Sequence, residues 1–377
     1  MKFLHTADWH IGRKLNGFSL LEEQEDVFHK MMAIAKEEDV DAIVIAGDIY
    51  DRSIPSIEAV ALFNEMMIEM NIKEKYLVLA ISGNHDSSTR LETGSYWLKT
   101  QGFHLHTRLE EAFIPVVLED TQFFLLPYFE PFHARQFFGD DRIKDIKTAM
   151  IRVVEKMTEM FDQDMNHVLV SHFFAAGSSR SDSETSIEVG GLDSVPMDVL
   201  EVFDYVALGH LHDSRAITSH ESIQYSGALL KYSLSEEKQE KGIRIVELKK
   251  QSVNNTFIPL SPLRDVAHIT ASHKELTTPS YYNQINREDY LGISLTDTTV
   301  ITNLLVELRQ IYPRIISLDR VTHESKKVEI AQKEKALVKL SPDVLLKKYF
   351  EEITEEELTE HQLTWIEEAI IQNRKEK

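Results

Sequence analysis

Between Asp41 and Asp51 the chain reads Asp-Ala-Ile-Val-Ile-Ala-Gly-Asp-Ile-Tyr-Asp, a short unbroken apolar run that Gly47 stops and Asp48 follows. Such a run, rich in β-branched residues and without polar alternation, predicts a strand buried on both faces of a parallel sheet. A carboxylate just beyond it, after a residue that lets the backbone turn, stands where open α/β sheets place their ligands. The same order recurs along the chain. Phe3–Ala7 precedes Asp8-Trp9-His10, and Tyr76–Ile81 precedes Ser82-Gly83-Asn84-His85-Asp86. His167–Ser171 precedes His172, and Tyr205–Leu208 precedes Gly209-His210-Leu211-His212. If these strands are parallel, their polar termini converge on one edge of the sheet.

Apolar residues at helical spacing fill the intervals. They predict helices over 24–38 (Val27, Met31, Ile34, Ala35), from Pro55 onward (Val60, Phe63, Met67 and Met70 facing inward) and over 142–160. Strand and helix alternate through residues 1–260, which predicts an α/β sandwich. Within it, Gln224–Gly227 and Gly242–Leu248 read as strands of a second, more antiparallel half. Residues 176–191, rich in Gly, Ser and acids, read as a loop, either a lid over the site or a solvated connection.

Pro259-Leu260-Ser261-Pro262 marks a boundary, because Pro breaks ladders and stiffens linkers. Residues 264–321 read as a small α+β unit. It has strands at Asp265–Thr270, Tyr290–Leu295 and Ile315–Leu318, and a helix through Val300, Leu304, Leu305 and Leu308. A polar linker over 322–337 leads to a helical tail over 338–377. Ser341-Pro342-Asp343 starts one amphipathic helix and Thr354-Glu355-Glu356-Glu357 boxes the start of another. The two stripes, with Leu345, Tyr349 and Phe350 on the first and Leu363 and Ile366 on the second, suit packing on their own chain or docking onto a partner. The linker favours the partner.

Composition narrows the chemistry. There is no Cys in 377 residues, so any metal must be held by His, Asp, Glu and Asn. A net charge of −21 argues against a free-standing nucleic-acid binder and leaves metals and a partner to supply grip on a polyanion. No apolar run is long enough to span a bilayer and no signal-like region opens the chain, so the expectation is a cytoplasmic protein without membrane contact.

Each strand-end group has an ordinary structural reading, as a hydrogen-bonded His or a turn-favouring Asn. Together they form a mixed nitrogen and oxygen set sufficient for two metal ions. Asp8 and His10, like His210 and His212, are two apart, so in extended segments the members of each pair face the same way. Asp48 is the candidate to bridge. Two divalent cations ~3.5–4 Å apart clamp a phosphoryl oxygen and activate water for in-line attack on a phosphate ester. His85, directly after Asn84, is then placed to protonate the leaving oxygen or steady the phosphoryl charge. Asp86 is placed to orient His85 or to cap a helix. The donor mixture favours manganese, iron or zinc over magnesium. Trp9 offers a base-stacking surface, though packing on the sheet is the simpler reading.

The ordered set Asp8-Trp9-His10, Gly47-Asp48-Ile49-Tyr50-Asp51, Gly83-Asn84-His85-Asp86, His172 and Gly209-His210-Leu211-His212 resembles the calcineurin-like metallophosphoesterase superfamily. The opening Phe-Leu-His-Thr-Ala-Asp-Trp-His, Val-Gly-Gly-Leu-Asp at 189–193 and Tyr-Val-Ala-Leu-Gly-His-Leu-His are similar to the bacterial double-strand-break repair nucleases. The resemblance implies a four-layer β-sandwich flanked by helices. It implies one metal held by Asp8, His10, Asp48 and His212 and another by Asp48, Asn84, His172 and His210, both manganese, with His85 catalytic. It further implies a capping role for 264–321, a tail that grips the base of a coiled-coil ATPase, and a homodimer through early helices within a heterotetramer. The implied substrate is DNA, cut from duplex ends and within single strands or hairpins. Asp51 stands where some archaeal relatives carry His, so it receives no catalytic role. Arg13 and Lys14 follow the first motif and Arg90 the third, placed to reach phosphates or simply to be solvated.

The metal set alone also admits a small-molecule phosphodiesterase or a phosphoprotein phosphatase. A non-catalytic docking subunit is a third reading, opposed by the intact ligand set and His85. No Gly-Lys-Ser/Thr nucleotide loop is present, so ATP hydrolysis falls to another chain.

Overall fold

The computed structural model describes residues 1–175, 178, 194–250, 252–299 and 301–321. The run Ala42–Ala46 forms a strand whose five residues are all buried, as an unbroken apolar strand requires. Alternating side chains supply a packing layer on each side. On one face Leu4, Ile43, Ile45 and Val78 meet the helices Leu21–Glu37 and Ile57–Met67 through Val27, Met31, Leu62 and Met66. On the other, Phe3, Val44 and Leu79 meet Phe123, Val168 and Tyr205 of a second sheet. The outer face of that sheet, with Phe124, Leu169 and Val206, is covered by the helix Ile146–Thr158 through Met150, Val153 and Met157. Three apolar layers therefore separate helix, sheet, sheet and helix, the four-layer α/β sandwich expected.

The first sheet has the order Ser252–Pro259, Gly242–Lys249, Lys2–Thr6, Ala42–Ala46, Leu77–Ile81, Phe103–His106. The last four are mutually parallel, and the first two add antiparallel at one side. The second sheet has the order Ile223–Tyr225, Tyr205–Gly209, Asn166–His172, Thr121–Leu126, Val116–Leu118. Its first four strands are parallel and the last is antiparallel.

Two expectations are corrected. The segments read as an antiparallel second half separate: Ile223–Tyr225 joins the second sheet in parallel, and Gly242–Lys249 joins the first. Apolar pattern marks a strand but not its hydrogen-bond partner. Of the inner face expected for the second helix, Phe63 is buried and Met67 is partly buried against the core, but Val60 is 38% exposed and Ala59, Leu62 and Met66 take its side of the packing. Met70 is buried as expected, because a π-helical turn over Ile68–Lys73 resets the spacing. The helix after Pro55 starts at Ile57, where the Ser56 hydroxyl accepts from Ala59 N at 3.2 Å. The one expected over 142–160 starts at Ile146, capped by Asp145, which accepts from Thr148 N at 2.7 Å.

Beyond residue 262 the strands Val266–Ala271, Tyr290–Leu295 and Ile315–Arg320 form a three-stranded sheet, with a helix at Leu304–Ile311. Of the described residues, 1–293 and 301–318 belong to one compact unit, and 294–299 with 319–321 to another. Within the first, buried Glu23 accepts from Arg264 Nη1 at 2.5 Å and from Tyr290 Oη at 2.8 Å. Within the second, Arg320 Nη1 donates to the carbonyls of Asp297 and Thr299 at 3.2 and 2.6 Å. Among the described residues no helix is long and apolar enough to cross a membrane. Most of the expected loop over 176–191, Val300, the linker over 322–337 and the tail with Leu345, Tyr349, Phe350, Leu363 and Ile366 lie outside the described residues.

Candidate metal centre

The strands Lys2–Thr6, Ala42–Ala46, Leu77–Ile81, Asn166–His172 and Tyr205–Gly209 end at one edge of the sandwich, and each delivers its polar residues there. The loop after the first strand zips onto the loop after the second: Asp8 N donates to Gly47 O at 3.1 Å, His10 N to Asp48 O at 3.0 Å and Ile11 N to Ile49 O at 2.9 Å. Convergence does not come from extended alternation, as the two-residue spacing suggested. Asp8, His10, Asp48 and His210 all have positive φ, at 53°, 45°, 50° and 97°. The left-handed turns aim the side chains individually. His210 and His212 accordingly separate, the first meeting Asn84 and the second meeting His10.

Two donor groups result, with Asp48 between them. His10 Nε2 lies 3.2 Å from His212 Nε2 and 3.7 Å from Asp48 Oδ2, and Asp8, His10 and His212 present ligand atoms to one point. On the other side His172 Nε2 is 3.2 Å from Asp48 Oδ2 and 3.0 Å from Asn84 Oδ1, which is 3.1 Å from His210 Nδ1. Asp8, Asp48 and His172 form a further set able to hold an ion. All but Asn84 and His210 are buried.

The donor chemistry fits cations. His172 Nδ1 donates to Ala46 O at 2.8 Å, so its Nε2 faces two oxygens with only a lone pair unless something positive stands there. Burial would lower the His172 pKa, but Asp48, by charge and hydrogen bond, lifts it to about 9. Burial would likewise raise Asp48, yet His172, with His10 and His85, holds it well below the usual carboxylate range. Burial pushes Asp8 up to about 7, with Asp48 adding to the rise while His172 and His212 oppose it. Burial also pushes His10 well below its ordinary value, leaving a neutral imidazole ready to ligate.

His85 sits at the rim with its side chain 16% exposed. Its Nδ1 donates to Asp51 O at 2.8 Å, which directs Nε2 inward, 4.0 Å from Asp48 Oδ2. Asp86 does something other than capping a helix: its carboxylate accepts from Ile49 N, Tyr50 N and Gly83 N at 3.1, 2.9 and 2.9 Å, lashing the second loop to the third. Burial, with the charge of Asp48, raises Asp86 to about 6. Trp9 is buried, its Nε1 donating to Thr6 Oγ1 at 2.9 Å and its ring edge-on to Phe28, so packing is its role. Arg13 pairs with Asp51 Oδ1 at 2.9 Å and lies over the Tyr232 ring, while Lys14 and Arg90 are exposed.

Two supports of the centre lie outside the sequence motifs. Gln24, buried on the inner face of its helix, donates to Trp9 O and His10 O at 3.0 and 2.8 Å and accepts from Gly12 N at 3.0 Å, fixing the first loop. Its place on the apolar face beside Val27 was the available signal. Glu236 and Lys241 lie behind His212, in a stretch so rich in charge that it reads as solvated surface; nothing in the sequence singles them out.

Strand-end donors gathered around a shared carboxylate inside an α/β four-layer sandwich are the mark of a metallophosphoesterase. The comparisons agree. Residues 1–214 match the calcineurin-like phosphoesterase family, and residues 262–354 match the family described as type 5 capsule protein repressor C-terminal domain. The chain is 36% identical to the D subunit of nuclease SbcCD from Staphylococcus saprophyticus over 370 residues, 98% of each chain. It is 38% identical to the protein of that name from Staphylococcus epidermidis over 325 residues, 86% of each. A crystal structure of a dimetal phosphatase from Danio rerio is a distant likeness, at 14% identity and a TM-score of 0.45, covering 70% of this chain and 98% of that one. The chain belongs to the calcineurin-like phosphoesterases and, within them, to the family formed by the D subunits of nuclease SbcCD.

Proposed function

We propose that this chain is the metal-dependent nuclease subunit of an SbcCD-type complex, hydrolysing DNA phosphodiesters at the centre around Asp48. The observation that carries the reading is the meeting of two donor groups on one carboxylate with His85 beside them. Asp8, His10, Asp48 and His212 would hold one divalent cation, and Asp48, Asn84, His172 and His210 the other, with manganese the expected ion. Bound there, two such cations would supply Lewis acidity toward the phosphoryl oxygens and would lower the pKa of an attacking water.

The protein's own groups do the rest. As the new P–O bond forms opposite the bond that breaks, the leaving oxygen takes the proton from His85 Nε2. The Asp51 carbonyl fixes the ring for that transfer by holding Nδ1–H. Asp86 and Gln24 keep the loops that carry Asp48 and His10 from drifting. Duplex exonuclease and single-strand or hairpin endonuclease action, with Arg13, Lys14 and Arg90 near the phosphates, complete the reading. An SbcC-like coiled-coil ATPase would be gripped by the tail over 338–377, and residues 264–321 would act as the cap.

A homodimer within the heterotetramer is supported by an apolar face that the described residues leave exposed. Ile57, Val60, Ile68 and Ile72 are exposed along one side of the second helix and its π-helical turn, Ile57 by 85%.

The test is cleavage of end-labelled duplex and hairpin DNA by the chain in manganese, beside His85→Ala. The variant should keep two bound metals and lose about 10²–10⁴-fold in rate. Hydrolysis of a phosphodiester dye with DNA left intact, even with the ATPase and ATP present, would move the assignment to a small-substrate phosphodiesterase.

A further inference from the structure

His212 is backed by a buried ion pair. Its Nδ1 lies 3.3 Å from Glu236 Oε1, and the other oxygen of that carboxylate accepts from Lys241 Nζ at 2.5 Å and from Tyr232 N at 3.2 Å. Lys241 Nζ also donates to His212 O at 2.8 Å, so both the ring and the backbone of His212 are tied to one pair. Tyr232 extends the support to the neighbouring ligands: its hydroxyl donates to Trp9 O at 2.5 Å, and its ring stands edge-on to both His10 and His212. Glu236, Lys241 and Tyr232 are all buried. An ion pair so placed is weak evidence for stability, because desolvating two charges offsets most of their attraction. It does fix an imidazole, since a carboxylate on Nδ1–H sets the tautomer and leaves Nε2 as the ligating atom.

Resting on the two-metal reading above, we infer that Glu236, held by Lys241, is a positioning residue that fixes His212 as a ligand of the Asp8, His10 and His212 site. The support is selective. His172, on the other side of Asp48, is anchored through a backbone carbonyl instead.

The consequence of Glu236→Gln follows from hydrogen-bond chemistry. Lys241 Nζ and Tyr232 N are donors only, so they claim the single amide oxygen, and the amide NH₂ turns toward His212 Nδ1. Nδ1 must then accept, which moves the ring proton to Nε2, the atom that should ligate. Manganese titration by calorimetry, on the full chain stripped of metal, reads this directly. The wild type should take up two equivalents. Glu236→Gln should weaken one of them about 10–100-fold and spare the other, and in a His212→Ala background it should change nothing further. Glu236→Gln/Lys241→Met also removes the buried ammonium whose carboxylate partner the single variant neutralises. It provides the same test should the single variant fail to fold, with the same site weakened. Two equivalents bound with wild-type affinities, or both sites weakened alike, would overturn the positioning role. A wild-type chain that takes up no manganese would overturn the two-metal reading itself, and the positioning role with it.

Discussion

Asp8, His10, Asp48 and His210 occupy left-handed backbone conformations, each of which costs a non-glycine residue roughly 1 kcal/mol or more. Four such residues meeting at one point store strain where ligands must be aimed, and the lashings from Asp86 and Gln24 hold it there. Glycine serves the same end by absence. A Cβ on Gly83 would run into the Asp48 carboxylate, and one on Gly47 would stand 2.5 Å from His172 Nδ1. Gly83→Ala should therefore displace Asp48 and reduce DNA cleavage by about 100-fold, since misplacement by an ångström has that effect; its manganese stoichiometry should fall below two, while its melting temperature shows whether the fold survives.

Away from the centre, buried His5 carries a pH dependence of its own. Its Nδ1 meets Tyr205 Oη at 3.1 Å and its Nε2 meets Leu208 O at 3.2 Å. Burial, then the charge of Arg244, lowers its pKa to about 3. The unfolded chain, with an ordinary imidazole, therefore binds the proton first. Stability from this residue is complete above pH ~6.5 and is lost as pH falls from there toward 3, about 2 kcal/mol by pH 5. Urea unfolding at pH 7 and pH 5 should show that loss in the wild type and less of it in His5→Gln; equal losses would remove His5 as the cause. The identities of the strand-end residues were readable from the motifs, but their aim was not. Two residues' spacing implies one face only if the backbone is extended, and here it turns left-handed.

At the scale of elements, the β-branched runs were readable because a strand buried on both faces is filled mainly by apolar residues. Partner choice was not, as Gly242–Lys249 shows by joining the first sheet. The second helix shows a related gap. Its inner face is Ala59, Leu62, Phe63 and Met66, while Ile57, Val60, Ile68 and Ile72 form an apolar stripe on the outside. Two apolar faces on one helix leave the pattern undecided between them, and only packing shows which one the chain covers itself. If the outer stripe is the dimer contact, Ile57→Asp/Ile72→Asp should convert a dimer to a monomer in light scattering and leave the melting temperature of the fold nearly unchanged. A dimer that persists places the interface elsewhere.

For the whole molecule, a net charge of −21 sets the terms on which it can meet DNA. Without metals or a partner to neutralise phosphates, the isolated chain should bind duplex weakly, and more weakly still as salt rises. The grip on an ATPase is expected from the tail. Deleting residues 338–377 should spare manganese-dependent cleavage and abolish co-purification with the coiled-coil ATPase; retained association would assign the contact to another part of the chain.

The order of motifs, the absence of Cys and the rhythm of apolar runs by themselves determined a parallel-rich α/β sandwich with a His, Asp and Asn metal set, because those features depend on residue type and local periodicity. Only the tertiary structure decided which donors lie within reach of one another, that Asp48 stands between two groups, that His85 is steered by the Asp51 carbonyl, and that Glu236 and Lys241 lie buried behind His212. Each of these joins residues tens to hundreds of positions apart. A charged pair in a charge-rich stretch looks the same in sequence whether it faces water or a ligand's back, and only the packing around it tells the two apart.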